Sequence, residues 1–448
     1  MKYLFFTAAM MAILPATVAL LCERAWIRWA VPMLILPLLV FNGTAINFFS
    51  EEFYRGTARG MEISIIYITA FTILLTFLIL RAPVKFIPDW GSRLYVLYFL
   101  LCLPSLRNAE NLLFSFFELW KMVMIYLVFL AVYHDLEYSG GDFDILLYSL
   151  SVVVVVNFSV VFIQHFRGIY QAYGVFPHQN SLAIYMLLTG LLLFARYFNG
   201  AYSMKNRFFF IAFCMASATL VRTYSRGALV CYPFGGLVTL LCSIRYNFTF
   251  RKIYIFIIIF LIGLAGLFAF LPRVIERFEK APASSGETRK NLAIAAVNMM
   301  RDKPLWGVGI NNWGIKINPP YNYSRHRENK HYRDDYKDGI VETIYLLVGA
   351  ECGIPCLFLL LLWFVFYWIS AIRLLYPLRR TQVFYIPAGA LGGMTGIFLQ
   401  SALEWVLKQQ INFMLLVIVF ACISYLNGHY REFISDGRPA AAPSLERS

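Results

Sequence analysis

Apolar runs of 16–24 residues recur along almost the whole 448-residue chain, each long enough to cross the ~30 Å of bilayer hydrocarbon as an α-helix. A transmembrane barrel would instead show alternating segments of ~10 residues, and the sequence has none. Composition agrees: 60% of residues are hydrophobic and only 14% charged, against about 25% charged in soluble domains. The fold class expected is an all-α integral membrane protein. Candidate spans are 3–21, 27–48, 61–80, 94–106, 112–133, 144–165, 180–195, 208–224, 227–243, 253–271, 341–370, 383–402 and 409–426, which makes twelve or thirteen helices.

These spans divide the chain into an N-terminal bundle of about ten helices (1–271), a large loop (272–340), C-terminal helices (341–426) and a Pro/Ala/Ser-rich tail (427–448) that reads as disordered. There is no internal repeat. The opening "MKYLFFTAAMMAILPATVALLCERAW" reads as a retained first helix rather than a signal peptide, because another span follows at once without a small-residue cleavage site. The net charge of +14 comes with no basic helix or RNA-binding signature, so nucleic acid is not an expected partner. The eight cysteines lie in or beside apolar runs and read as packing residues, with no metal set and no disulfide framework.

In a membrane protein, Lys and Arg in short connections report orientation. One set of connections holds fourteen, among them Arg81, Lys85, Arg93, Arg196, Arg251 and Lys252; the alternate set holds eight. The richer set is expected in the cytoplasm, together with the C-terminus. Residues 272–340 then form one external loop, with thirteen Lys/Arg against eight Asp/Glu. Loops of that length are exempt from the charge rule.

The external face collects polar groups. "YRGTARGME" brings Arg55 and Arg59 before the third span, and "VFPHQNSLAIYM" puts His178 and Asn180 at the start of the seventh. In "LVRTYSRGALV", Arg222 ends one span and Arg226 begins the next, with three residues between them. Two forked, permanently charged donors at the membrane surface suit a diphosphate; the alternative is that they mark topology or anchor lipid head groups. In the loop, residues 288–301 read as an amphipathic helix lying apolar face down in the interface. "DKPLWGVGINNWG" follows as a turn in which Gly307 and Gly309 serve backbone shape. His326, His331, Asp334 and Asp335 fit no standard metal spacing and read as part of an acceptor-binding loop.

The chain re-enters the membrane at Val341-Glu342-Thr343. In a helix beginning near 340, Glu342 would sit in the first turn, where the helix dipole favours its charge. It is either an N-terminal charge, with Asp338 as a nearby cap, or a group that does chemistry. Glu118 and Lys121, spaced i, i+3, read as a structural ion pair. Gln400 and Glu404 are candidates to line a cavity.

"RTYSRGALV", "ETRKNLAIAAVNMMRDKPLWGVGINNWG" and "ETIYLLVGAECGI" resemble, in order and spacing, the module of the bacterial O-antigen ligase / O-antigen polymerase superfamily. "YRGTARGMEIS" and "FPHQNSLA" resemble its exopolysaccharide-associated branch. The resemblance covers about residues 50–365. It implies a GT-C-like membrane glycosyltransferase without cofactor or metal, in the bacterial inner membrane with its site facing the periplasm. The implied donor is an undecaprenyl-diphosphate-linked glycan and the acceptor a glycan or lipid-linked sugar. Membrane lipids and a chain-length regulator or export complex are the other implied partners. Arg222, Arg226 and Arg289 fall where the family places its diphosphate-binding arginines. Arg55, Arg59, His178, Asn180 and Tyr345 are candidate substrate contacts. Many ligases have His-Asn before the Tyr-Leu of the re-entry helix, where this chain has Glu342-Thr343, which tilts the reading from ligase to polymerase. The expected mechanism is direct, inverting displacement, with Glu342 taking the proton of the acceptor hydroxyl. A transporter or flippase, which predicts mid-membrane charges and repeat symmetry, and an export-complex scaffold are the competing readings.

Overall fold

In a computed structural model, the described residues are 29–40, 45–258, 283–323 and 339–435 apart from positions 52, 53, 55, 202, 319 and 322, with Leu261 and scattered positions before residue 23. Arg55, His326, His331, Asp334, Asp335, Asp338 and residues 436–448 lie outside them, as do most of the expected 3–21 and 253–271 spans.

The described chain is helical apart from one small hairpin. A short helix α1 (Ala30–Ile35) is followed by the antiparallel strands β1 (Ile46–Ser50) and β2 (Gly60–Ile63). The expected 27–48 span is therefore not one helix: the chain passes from α1 through a 3-10 turn at Leu36–Val40 into β1. Then come α2 (Ile65–Ile79), α3 (Trp90–Cys102), α4 (Leu112–Ser139), α5 (Phe143–Phe166), α6 (Gln179–Asn199), α7 (Met204–Arg222) and α8 (Arg226–Tyr246). The second half holds α9 (Ala283–Asp302), the one-turn α10 (Trp313–Lys316), α11 (Ile344–Cys352), α12 (Ile354–Leu378), α13 (Tyr385–Gln400) and α14 (Gln410–Ser435). Seven of the described helices (α4–α8, α12 and α14) are long and apolar enough to cross a membrane; α2, α3 and α13 are shorter. The chain is an all-α integral membrane protein.

Two helices are central. About 89% of the most apolar stretch of α6, and the same share of α14, is buried, against 33% for α7 and α8, whose remaining apolar surface faces outward. In lipid such surface needs no cover, so the outer helices keep apolar residues all round, while the central ones are surrounded by protein.

The expected 341–370 span is two helices. Gly353, at φ +91°, ends α11, and Pro355 opens α12, the usual division of labour between these residues at helix ends. The break is where the large loop docks: Ile354 N donates to Pro304 O at 2.8 Å, Val308 N to Ala350 O at 2.9 Å and Gly309 N to Glu351 O at 3.0 Å. Nor does α9 lie face down in the interface. Its Leu292, Ala295, Ala296 and Met299 are buried in a cluster with Val308, Trp313, Leu347 and Ala350, so the apolar face covers α11. Alanines let two helix backbones approach closely, a geometry that suits protein more than lipid.

Gly307 sits at φ +61°, and a Cβ there would lie 2.4 Å from the backbone carbonyl of Glu351. Gly307→Ala should cost roughly 1–3 kcal/mol through strain and steric overlap. A lowered melting temperature of the purified protein in detergent checks this, and an unchanged one would mean that the loop does not dock as described.

Candidate functional site

The helix ends nearest the hairpin surround an open cavity of about 780 Å³. Its walls come from the hairpin (Arg59, Glu62), α4 (Trp120, Lys121), the start of α6 (His178, Asn180), α9 (Arg289), the approach to α11 (Glu342) and the α13–α14 connection (Glu404, Trp405, Lys408). At the opposite end of the bundle, Arg196 forms a two-bond pair with Asp144 at 3.0 and 3.2 Å. Lys252 reaches Asn199 at 2.7 Å there, and Lys85 pairs with Glu137 at 3.5 Å. Those connections belong to the Lys/Arg-rich set of the sequence, so the cavity lies at the charge-poor end.

Asparagines within the large loop fix the hairpin and α4. Asn311, buried and at φ +53°, accepts from Thr57 N at 2.9 Å and donates to Ala58 O at 2.8 Å and to Phe114 O at 2.7 Å. Tyr54 OH donates to its carbonyl. Asn312 accepts from the backbone N–H groups of Glu110 and Asn111 at 3.0 and 2.9 Å, and donates to Ser115 Oγ at 2.9 Å. Burying an amide costs free energy unless every polar atom is bonded, and these two satisfy backbone groups of three segments at once. Arg59, one residue beyond Ala58, is thereby placed on the rim.

Below the cavity lies a buried charge cluster. The Glu118 carboxylate accepts from Lys121 Nζ at 2.7 Å, Lys408 Nζ at 2.9 Å and Thr57 Oγ1 at 2.9 Å. Lys408 Nζ also lies 3.6 Å from Glu351 Oε2, and Glu351 Oε1 accepts from Trp313 N at 3.3 Å. The side chains of Glu118, Lys121, Glu351 and Lys408 are each 6% exposed or less. The Glu118–Lys121 pair read from the sequence is thus present, as half of a larger network that also supplies two ammonium groups to the cavity lining.

Of the sequence-derived site residues, Arg59, His178, Asn180, Arg289 and Glu342 meet at the cavity. Glu342 does not stand in the first turn of a helix. The α11 N-cap is Thr343, so Glu342 lies outside the helix, and its partner is the guanidinium of Arg289 rather than a helix end. His178 caps α6, its Nδ1 accepting from Asn180 N at 3.2 Å. Burial lowers the His178 pKa, against the charge of Glu342, which raises it. Arg222 is not among the lining residues: it bonds His165 Nδ1 at 2.6 Å and Tyr224 OH at 3.2 Å. Arg226, four residues on, acts on the cavity electrostatically through Glu404. Tyr345 turns to α13, donating to Phe398 O at 2.7 Å.

Glu404 lines the cavity, whereas Gln400 is buried beside Gly227. Asn180 Nδ2 donates to Glu404 Oε1 at 2.6 Å. Burial, helped by the charge of Glu342, pushes the Glu404 carboxyl up to about 7, while Arg289 and Arg226 pull it down. Glu62 on β2 is also pushed up to about 7 by burial, against Lys121. No local sequence signal marks Glu62, Trp120, Trp405 or Lys408 as site residues; their approach depends on the hairpin and the α13–α14 connection folding over α4.

Lys408→Met should leave the buried Glu118 and Glu351 short of countercharge and cost about 3–5 kcal/mol. Loss of folded protein on size-exclusion chromatography, partly recovered by adding Glu351→Gln, is the expected outcome. Wild-type stability in the single variant would deny the cluster its structural role.

Residues 210–361, from α7 into α12, match a family model described as O-Antigen ligase (Wzy_C). The match supports the O-antigen ligase / O-antigen polymerase superfamily and takes in Arg222, Arg226, Arg289, Glu342 and Tyr345. No curated protein matches the chain.

Proposed function

We propose, starting from this O-antigen ligase match, that the chain is a glycosyltransferase that moves a glycan from an undecaprenyl-diphosphate-linked donor to an acceptor sugar hydroxyl, acting as an O-antigen or exopolysaccharide polymerase. The observation that carries the reading is the cavity itself: four cations (Arg59, Lys121, Arg289, Lys408) and three carboxylates (Glu62, Glu342, Glu404) line one opening at the ends of membrane-spanning helices. A lipid diphosphate sits at head-group depth, where such an opening meets it. The charge-poor end faces the periplasm by the positive-inside rule, and the membrane is then the bacterial inner membrane.

Preorganised cations stabilise the charge that develops on the departing diphosphate, with Arg289 on the cavity wall and Arg226 at a neighbouring helix end. Either Glu342 or Glu404 can accept the proton of the attacking hydroxyl. One displacement at the anomeric carbon inverts its configuration. Guanidinium and ammonium groups supply the positive charge that a metal ion supplies in soluble nucleotide-sugar enzymes.

The test is turnover of an undecaprenyl-diphosphate-linked repeat unit by the full chain in liposomes. Longer lipid-linked glycan is expected, unchanged by EDTA and lowered ~10²-fold or more by Arg289→Ala. Transfer to a lipid A-core acceptor, without lengthening of the lipid-linked glycan, would make the chain a ligase instead. Absence of both products sinks the transferase reading.

A further inference from the structure

Three carboxylates line the cavity, and their surroundings differ. Glu342 is in an ion pair with Arg289. Glu62 lies on β2, where the opposing charge it feels is that of Lys121. Glu404 is 8% exposed, stands on the connection between α13 and α14, and has one oxygen fixed by Asn180 Nδ2 at 2.6 Å. The charged groups acting on it are Glu342 from the approach to α11, Arg289 from α9 and Arg226 from the start of α8.

We infer that Glu404 is the general base of the transfer, oriented by Asn180, and that Glu342 serves as the counter-ion that holds Arg289 toward the donor diphosphate. The inference rests on the transferase reading above. In the step, the acceptor hydroxyl gives its proton to Glu404, and its oxygen forms the new bond to the anomeric carbon of the donor. The bond from that carbon to the phosphate oxygen breaks, and the diphosphate leaves with the electron pair beside Arg289. Asn180 is a positioning residue: by occupying Oε1, it leaves Oε2 to receive the proton.

A base must be deprotonated to act yet basic enough to take a proton, which favours a pKa near the working pH. A carboxyl held at about 7 meets that condition, whereas one at its ordinary value would be a weaker acceptor. Activity governed by Glu404 therefore rises with pH through about 7, as the carboxyl loses its proton.

The experiment measures kcat and donor KM of the full chain in liposomes, on an undecaprenyl-diphosphate-linked repeat unit, between about pH 5 and 9. Glu404→Gln keeps an acceptor for Asn180 and should fold, which its thermal unfolding in detergent checks. It should lower kcat ~10²-fold or more, change donor KM little and remove the rise of activity with pH. Glu342→Gln should instead raise donor KM and keep a rise, moved to lower pH because the charge of Glu342 helps hold the Glu404 carboxyl up. The assignment is overturned if Glu404→Gln retains kcat and the pH limb, or if Glu342→Gln or Glu62→Gln loses them in its place. A wild-type protein that turns over no lipid-linked donor refutes the transferase reading itself, and with it any base.

Discussion

One carboxylate buried between two ammonium groups joins the segments that build the site. Glu118 lies three residues before Lys121 on α4, Lys408 comes from the connection ahead of α14, and the second carboxylate, Glu351, stands at the end of α11 beside the docked loop. Removing these charges from water costs several kcal/mol each, and mutual attraction offsets that only with close geometry and bonds to the remaining lone pairs. Here Thr57 Oγ1 and Trp313 N supply such bonds, from the hairpin and from the loop. The cluster therefore ties the hairpin, α4, the loop, α11 and the α13–α14 connection to one another. Lys121 and Lys408, both bonded to the same carboxylate, also line the cavity.

The large loop is built into this arrangement rather than resting on it. The asparagine pair that follows Gly309 uses its side-chain amides as substitutes for secondary structure, satisfying backbone groups of the hairpin and of the start of α4. On the other side, α9 buries its alanine face on α11. Ahead of both anchors in sequence, an early turn of α9 carries Arg289 to Glu342. A basic residue from a long loop thus becomes part of the cavity wall, through packing that begins three residues on, at Leu292.

The membrane-spanning helices were legible because lipid imposes their length and apolar character on each segment separately. The split at Gly353 was legible too: "CGIPC" places a glycine where a helix stops and a proline where the next starts, although the continuous apolar run conceals it. Ala295 and Ala296 carried a similar signal, since small residues favour contact with another helix over insertion into lipid. Other features have no local signature. Asn311 looks like any loop asparagine until Thr57, Ala58 and Phe114 surround it. Glu342 and Arg289 stand 53 residues apart in sequence, and helix-dipole reasoning about Glu342 overlooked a guanidinium that only tertiary packing delivers.

Placing cations and carboxylates in one cavity creates a conflict, because each group can neutralise the other before a substrate arrives. Burial decides which pairs persist. The Glu118 cluster is shut off from water, where an exchange of partners would strand a charge at a cost of several kcal/mol. The Arg289–Glu342 pair is 40% and 35% exposed in its side chains, so solvent screens it and little holds it closed. On the transferase reading proposed above, a diphosphate would bond Arg289 through guanidinium N–H groups that Glu342 does not occupy. The buried pairs then keep the walls in place while the half-exposed pair stays accessible from the cavity, which lets a cavity of mixed sign be both stable and open to an anion.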